Sequence, residues 1–120
     1  MSQFKSFGSI DTKRITFTNK GAVSQATSLT SGVTLNSPVG SITTISTNLA
    51  TSGNLAFTCT NACVTAGDYV FANIIDYAGS NGTPSVIVDN ITRGSFAINV
   101  RNSHPTAPLN GAIKIGFFIV

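Results

Sequence analysis

The side chains able to do acid–base or metal chemistry are few and scattered. They are one histidine, His104, four aspartates, Asp11, Asp68, Asp76 and Asp89, and two cysteines, Cys59 and Cys63; glutamate and tryptophan are absent. General acid–base catalysis usually needs a carboxylate pair, or an imidazole close to a carboxylate. Asp68 and Asp76 bound one apolar stretch that reads as a strand, so they sit at its two ends and cannot converge. Asp11 and Asp89 have no evident partner. His104 stands in NSHPTAPLN, a proline-flanked loop, where a lone histidine is ordinarily a surface residue. Hydroxyls are plentiful, but a nucleophile needs an activating base within hydrogen-bond reach. No Gly-x-Ser-x-Gly, P-loop or Gly-x-Gly-x-x-Gly pattern occurs. The expectation is a protein that is not an enzyme, with no catalytic, cofactor-binding or metal-binding residues and no small-molecule substrate.

Cys59 and Cys63 lie four apart in CTNAC. A zinc site would need further ligands that the sequence does not supply nearby. Two readings remain: a disulfide across a turn, or a small buried residue at Cys59 with a turn-flanking thiol at Cys63. Sugar sites favour an exposed aromatic beside a polar group. Tyr77, next to Asp76 and the 78–83 loop, is the best such candidate; the competing reading is a tyrosine that anchors the loop.

The elements that must position these residues are strands. Val, Ile and Thr make up 37 of the 120 residues, while Glu, Gln, Lys, Arg, Met and Leu make up only 15. Branching at Cβ suits a pleated strand better than a helical turn. Short apolar-alternating runs bounded by turn residues recur along the chain, as in sandwiches and barrels. Strands are expected at 13–18, 22–27, 32–36, 40–46, 54–60, 68–76, 85–91, 95–101 and 111–120. Asn19-Lys20-Gly21 reads as a turn. Ile42 and Ile45 break alternation, which suggests a bulge. In NLAFTCT, Leu55, Phe57 and Cys59 should point inward. Residues 68–76 (DYVFANIID) are apolar on both faces and read as a central strand. Thr92-Arg93-Gly94 should turn a hairpin that sends Phe96, Ile98 and Val100 inward. The fold class expected is all-β: a single antiparallel β-sandwich, jelly-roll-like, with a short N-terminal arm. Residues 1–20 form the arm and 21–120 the sandwich domain.

Charge is concentrated in that arm. The chain carries a formal +3. Lys5, Lys13, Arg14 and Lys20 against Asp11 supply all of it, and the remaining cations and aspartates cancel. Four cations over 20 residues are too sparse for a nucleic-acid site. MSQFKSFGSIDTK has no apolar stretch of signal-peptide length, and no apolar run is long enough to span a membrane. The thiols are therefore expected to start reduced. The final run, GAIKIGFFIV, is apolar on both faces. It is either central in a sheet or covered by a partner subunit, with Phe117, Phe118 and Val120 as the candidate oligomer interface.

Three stretches carry a resemblance: Gly21–Ser28 (GAVSQATS), Gly32–Asn36 (GVTLN) and Gly94–Asn102 (GSFAINVRN). With FTCTNACVTAGDYVFANI (57–74) and AIKIGFFIV (112–120), they make residues 21–120 resemble a small β-sandwich domain of tailed-bacteriophage structural proteins. Cys59 and Cys63 depart from that pattern. The resemblance implies a virion component: a capsid decoration (cement) protein or a head- or tail-fibre domain, usually trimeric. With only about 20 residues ahead of the domain, a decoration protein is the expectation. It would be made in the host cytoplasm and sit on the capsid exterior as a homotrimer, with the major capsid protein as partner. The arm would contact the capsid through Phe4, Phe7 and Ile10 as apolar anchors and Lys5, Lys13 and Arg14 against acidic patches. The alternative is a fibre domain that recognises host-surface glycans.

Overall fold

The computed structural model describes residues 20–120. The expected strand at 13–18, Asp11 and all six arm residues proposed to touch a capsid lie outside the described residues. Eight strands form: β1 (Lys20–Ser24), β2 (Val33–Thr34), β3 (Val39–Thr43), β4 (Asn54–Thr60), β5 (Val70–Tyr77), β6 (Pro84–Thr92), β7 (Ser95–Asn102) and β8 (Ile113–Ile119). The described residues contain no helix. One four-stranded sheet has the order β1-β3-β8-β5 and the other β2-β4-β7-β6. The two sheets pack face to face, as the alternating apolar strands require.

The sheets are mixed rather than purely antiparallel. β1 pairs with β3 in parallel, and β2 with β4. The reason is connectivity. The 25–38 segment crosses from the first sheet to the second and back, so β3 returns alongside β1 in the same direction. Buried Gln25 holds that crossover. Its Nε2 donates to the Leu29 and Ser31 carbonyls at 2.9 and 3.0 Å, and its Oε1 accepts the Ile45 N–H at 3.3 Å.

The core joins the inward faces. Ile42, Ile113, Ile115, Phe117 and Ile119 come from one sheet, and Phe57, Cys59, Phe96, Ile98 and Val100 from the other. Phe96 and Phe117 meet edge-on across the sandwich with centroids 5.4 Å apart. Such contacts add about 0.5–1.5 kcal/mol beyond the burial of the rings. Gly21 and Gly40 are register partners that make room for Leu35. A Cβ on either would lie 2.6–2.7 Å from a Leu35 methyl. Gly94 turns the β6–β7 hairpin with φ near 91°, a conformation open to glycine at little cost.

Several local expectations are corrected. β1 starts at Lys20, where a turn was expected. β3 pairs in regular register over Val39–Thr43, and Ile45 falls beyond its end. The bulges lie instead between Ile74 and Asp76 and between Asp89 and Thr92. Leu55 is 39% exposed, because β2 pairs only with Cys59 and Thr60 and leaves the first half of β4 without a neighbour on that side. β8 is central, flanked by β3 and β5, and β5 is an edge strand. The hairpin and the inward set Phe96, Ile98 and Val100 match expectation.

Candidate functional surface

The chemically versatile side chains hold loops. His104 Nδ1 accepts the backbone N–H groups of Thr106 and Ala107 at 3.0 and 2.8 Å. Its proton is therefore on Nε2, and the ring folds the 104–107 segment around itself. Asn102 is fully buried beneath that loop. Its Nδ2 donates to the carbonyls of Leu49 and Ala107, and its Oδ1 accepts from Thr83 and His104 N–H. Asn110 Oδ1 takes the N–H groups of Ser80 and Asn81. The Tyr77 hydroxyl donates to the Asn81 carbonyl and accepts the Asn110 N–H at 2.9 Å. Tyr77 thus anchors its loop, and its hydroxyl is already engaged.

The aspartates do not converge either. Asp68 caps a turn by accepting the Thr65 N–H at 2.9 Å. Asp89 accepts the Asn99 amide at 2.9 Å. Asp76 stands opposite Lys114 in register, at the far end of β5 from Asp68. No group of three or more His, Cys, Asp or Glu side chains comes together among the described residues. Both cysteines are free thiols. Cys59 faces the core between Val33 and Phe96, and burial pushes its thiol up to about 11. The thiolate is the nucleophile, so Cys59 is unreactive at neutral pH.

What the molecule offers outward is an apolar face. Register places Lys20, Val39, Phe118 and Phe71 in one row across the outside of the first sheet. Tyr69 and Val120 exchange backbone hydrogen bonds at 3.0 and 2.9 Å just beyond that row. Ile75, at the β5 bulge, lies over Gly116 of β8. Tyr69 is 69% exposed, Ile75 58%, Phe71 51%, Phe118 40% and Val120 37%. The Phe71 and Phe118 rings stack with centroids 5.0 Å apart. Taking about 150–250 Å² for a whole aromatic side chain, the exposed part of this set is on the order of 400–500 Å². That is near the largest patch an ordinary monomer shows, and such patches are commonly functional.

Of the three C-terminal residues expected at an oligomer interface, Phe118 and Val120 belong to this face. Phe117 does not: strand alternation turns it inward, where it is 3% exposed against Phe96. Sequence reasoning missed Tyr69, Phe71 and Ile75 as surface residues. The signal was present in the two-faced apolar character of 68–76, and it was read as central-strand burial. No protein-family model, curated protein or solved structure matches the chain.

Proposed function

We propose that this chain is a structural protein that acts by binding a surface: a decoration (cement) protein on the outside of an assembled bacteriophage head. The observation that carries the reading is the division between its polar and apolar side chains. His104, Tyr77, Asn102, Asn110 and Asp68 are engaged in holding loops, while five of the seven large hydrophobics exposed among the described residues, Tyr69, Phe71, Ile75, Phe118 and Val120, gather on the outer side of one sheet. That arrangement suits adhesion. The stretches that carry the resemblance have structural work in this fold: Gly21 seats Leu35 and Gln25 ties the crossover. We read the sandwich as jelly-roll-like on the same grounds. In this reading the major capsid protein is the partner, and residues 1–20 grip the shell through Phe4, Lys5, Phe7, Ile10, Lys13 and Arg14.

The mechanism is mass action. A protein that binds the assembled shell and not its dissociated subunits stabilises the shell by its binding free energy. Copies that each touch several capsomers add avidity. The test is quantitative mass spectrometry of purified virions against the major capsid protein. A simple fixed ratio to capsid subunits is the expected result. Only a few copies per particle would overturn decoration and favour the fibre reading. That second reading has one supporting observation, the highly exposed Tyr69 ring near Phe71, an aromatic surface of the kind on which a sugar stacks.

A further inference from the structure

We propose that Asn81 is a site of self-modification: its side-chain amide is lost to attack by the Gly82 backbone nitrogen, and the product loosens the 78–83 loop. The inference concerns the chain's own chemistry and does not depend on what its surface binds. Asparagine is most prone to this reaction when glycine follows it, because glycine carries no Cβ to hinder the attacking nitrogen. Among the described residues that pair occurs twice, at Asn81-Gly82 and Asn110-Gly111. Both lie in the loop cluster around Tyr77, so what separates them is their immediate surroundings.

The Asn110 pair is locked on both sides. Asn110 Oδ1 accepts the N–H groups of Ser80 and Asn81 at 2.8 and 2.9 Å, and its Nδ2 donates to Ser80 Oγ at 3.1 Å. Gly111, which would supply the attacking nitrogen, is buried. Its carbonyl accepts the Thr47 N–H at 3.2 Å, and a Cβ placed on it would lie 2.3 Å from the Gly79 nitrogen. Backbone packed that closely cannot turn its nitrogen onto the preceding side chain without undoing those contacts. The Asn81 pair is built the other way. Asn81 is exposed, and neither it nor Gly82 belongs to a strand. Among the described residues, no hydrogen bond engages the Asn81 side-chain amide or the Gly82 N–H. Gly82 has φ near 85°, a region that glycine enters without strain. The contacts that hold Asn81 are on its main chain: its N–H donates to Asn110 Oδ1 and its carbonyl accepts from the Tyr77 hydroxyl. They fix the loop and leave the reacting atoms open.

The steps balance with water as the sole co-reactant, and nothing is oxidised or reduced. The Gly82 nitrogen sheds its proton and bonds to Asn81 Cγ. The Cγ–Nδ2 bond breaks, ammonia leaves with that proton, and a five-membered imide closes. Water then opens the imide at either carbonyl. Opening at Cγ leaves aspartate. Opening at the main-chain carbonyl leaves isoaspartate, in which the chain runs through Cγ and is longer by one carbon. That carbon falls between two pinned groups, the Asn81 N–H on Asn110 Oδ1 and the Thr83 N–H on Asn102 Oδ1 at 3.0 Å. The segment between them must bulge outward or release one of them. The carbonyl that Tyr77 holds also becomes part of a carboxylate branching off the main chain, so Tyr77 no longer fixes the path toward Thr83.

The experiment incubates the full, folded chain in mildly alkaline buffer, which favours loss of the Gly82 amide proton. Peptide mass spectrometry follows Asn81 and Asn110 separately, and an isoaspartyl methyltransferase counts the isoaspartate. Asn81 should convert at least about tenfold faster than Asn110, because freeing the Asn110 amide first breaks two or more hydrogen bonds. Converted protein carries an added negative charge and is separated by ion exchange. Its isoaspartyl fraction should be cut within residues 78–83 sooner than unconverted protein in limited proteolysis. Asn81→Gln should fold normally, since the Asn81 side chain is exposed, and should abolish the conversion, since glutamine would have to close a slower six-membered ring. An Asn81 that stays intact in the folded chain overturns the proposal. So does an Asn110 that converts as fast or faster. Conversion at Asn81 with an unchanged cleavage pattern overturns the loosening of the loop.

Discussion

Phe117 and Phe118 are adjacent in sequence, and their replacement by alanine should give very different results. Phe117 is 3% exposed and bridges the two sheets through Phe96 at 5.4 Å. Truncating a buried phenylalanine removes its transfer free energy and leaves a cavity in a close-packed interior, at a cost of about 3–5 kcal/mol. A domain of this size is held by roughly 5–15 kcal/mol in all. Phe117→Ala should therefore remove a large share of the stability, or prevent folding. Phe118 is 40% exposed and packs chiefly on Phe71. Full burial of such a ring is worth about 1.5–3 kcal/mol, so its partial burial contributes about 1–2 kcal/mol within one subunit. The assay is urea unfolding followed by far-ultraviolet circular dichroism, with slopes compared to establish a common two-state transition. For Phe117→Ala the loss should not depend on protein concentration, since it arises inside one chain. For Phe118→Ala any further loss should appear only at concentrations where copies associate. Equal losses for the two variants, or a larger loss at Phe118 in dilute protein, would refute the assignment of the two faces of β8.

Four further outcomes are expected. At neutral pH, Cys63 should react with a thiol reagent in the native protein, while Cys59 reacts only at the rate of unfolding, as followed by mass spectrometry. Burial raises the Cys59 thiol from its ordinary 9.0 to about 11, so above pH 9 the unfolded chain loses this proton more readily than the folded one. Stability should then fall between pH 9 and 11 by about 1–3 kcal/mol more than in Cys59→Ala, in parallel urea titrations. Asn102→Ala removes four hydrogen bonds to backbone groups of three segments. It should cost roughly 2–4 kcal/mol and make residues 103–110 the first site of limited proteolysis. Gly40→Val places a side chain where Leu35 and the Gly21 carbonyl already sit, and should destabilise by at least about 1–3 kcal/mol by thermal unfolding.

The strands were legible in sequence because alternation reports which residues face a core. Phe96, Ile98 and Val100 on β7, and the odd positions of β8, follow that rule. What alternation does not report is the neighbour of a strand. β5 and β8 are written alike, with apolar residues on both faces, and one is central while the other is an edge. Likewise, Leu55 satisfies the inward pattern of β4 but lies partly exposed, because β2 is too short to cover it. The parallel pairings depend on the 25–38 crossover. The residue that holds that crossover, Gln25, reads from sequence as an ordinary polar side chain. Tyr77 offered two readings, and only the contacts with Asn81 and Asn110 decide between them.

The edge position of β5 bears on how a charge-poor sandwich avoids pairing its strands with other chains. A long apolar edge strand invites pairing with any other chain. Here the edge is interrupted by a bulge at Ile75 and covered in part by Asn73, while Asp68 and Asp76 stand at its ends. These devices discourage indiscriminate strand addition, yet they leave the face itself apolar. The cost of keeping Tyr69, Phe71 and Ile75 in water is therefore not removed by these devices. Replacing Asn73 with Val should expose that difference. It strips the blunting group from the edge and adds an apolar side chain to the same face. The measured outcome should be more thioflavin-positive aggregate than the unaltered chain forms at equal concentration. A variant that forms no more aggregate than the unaltered chain would show that the edge needed no protection.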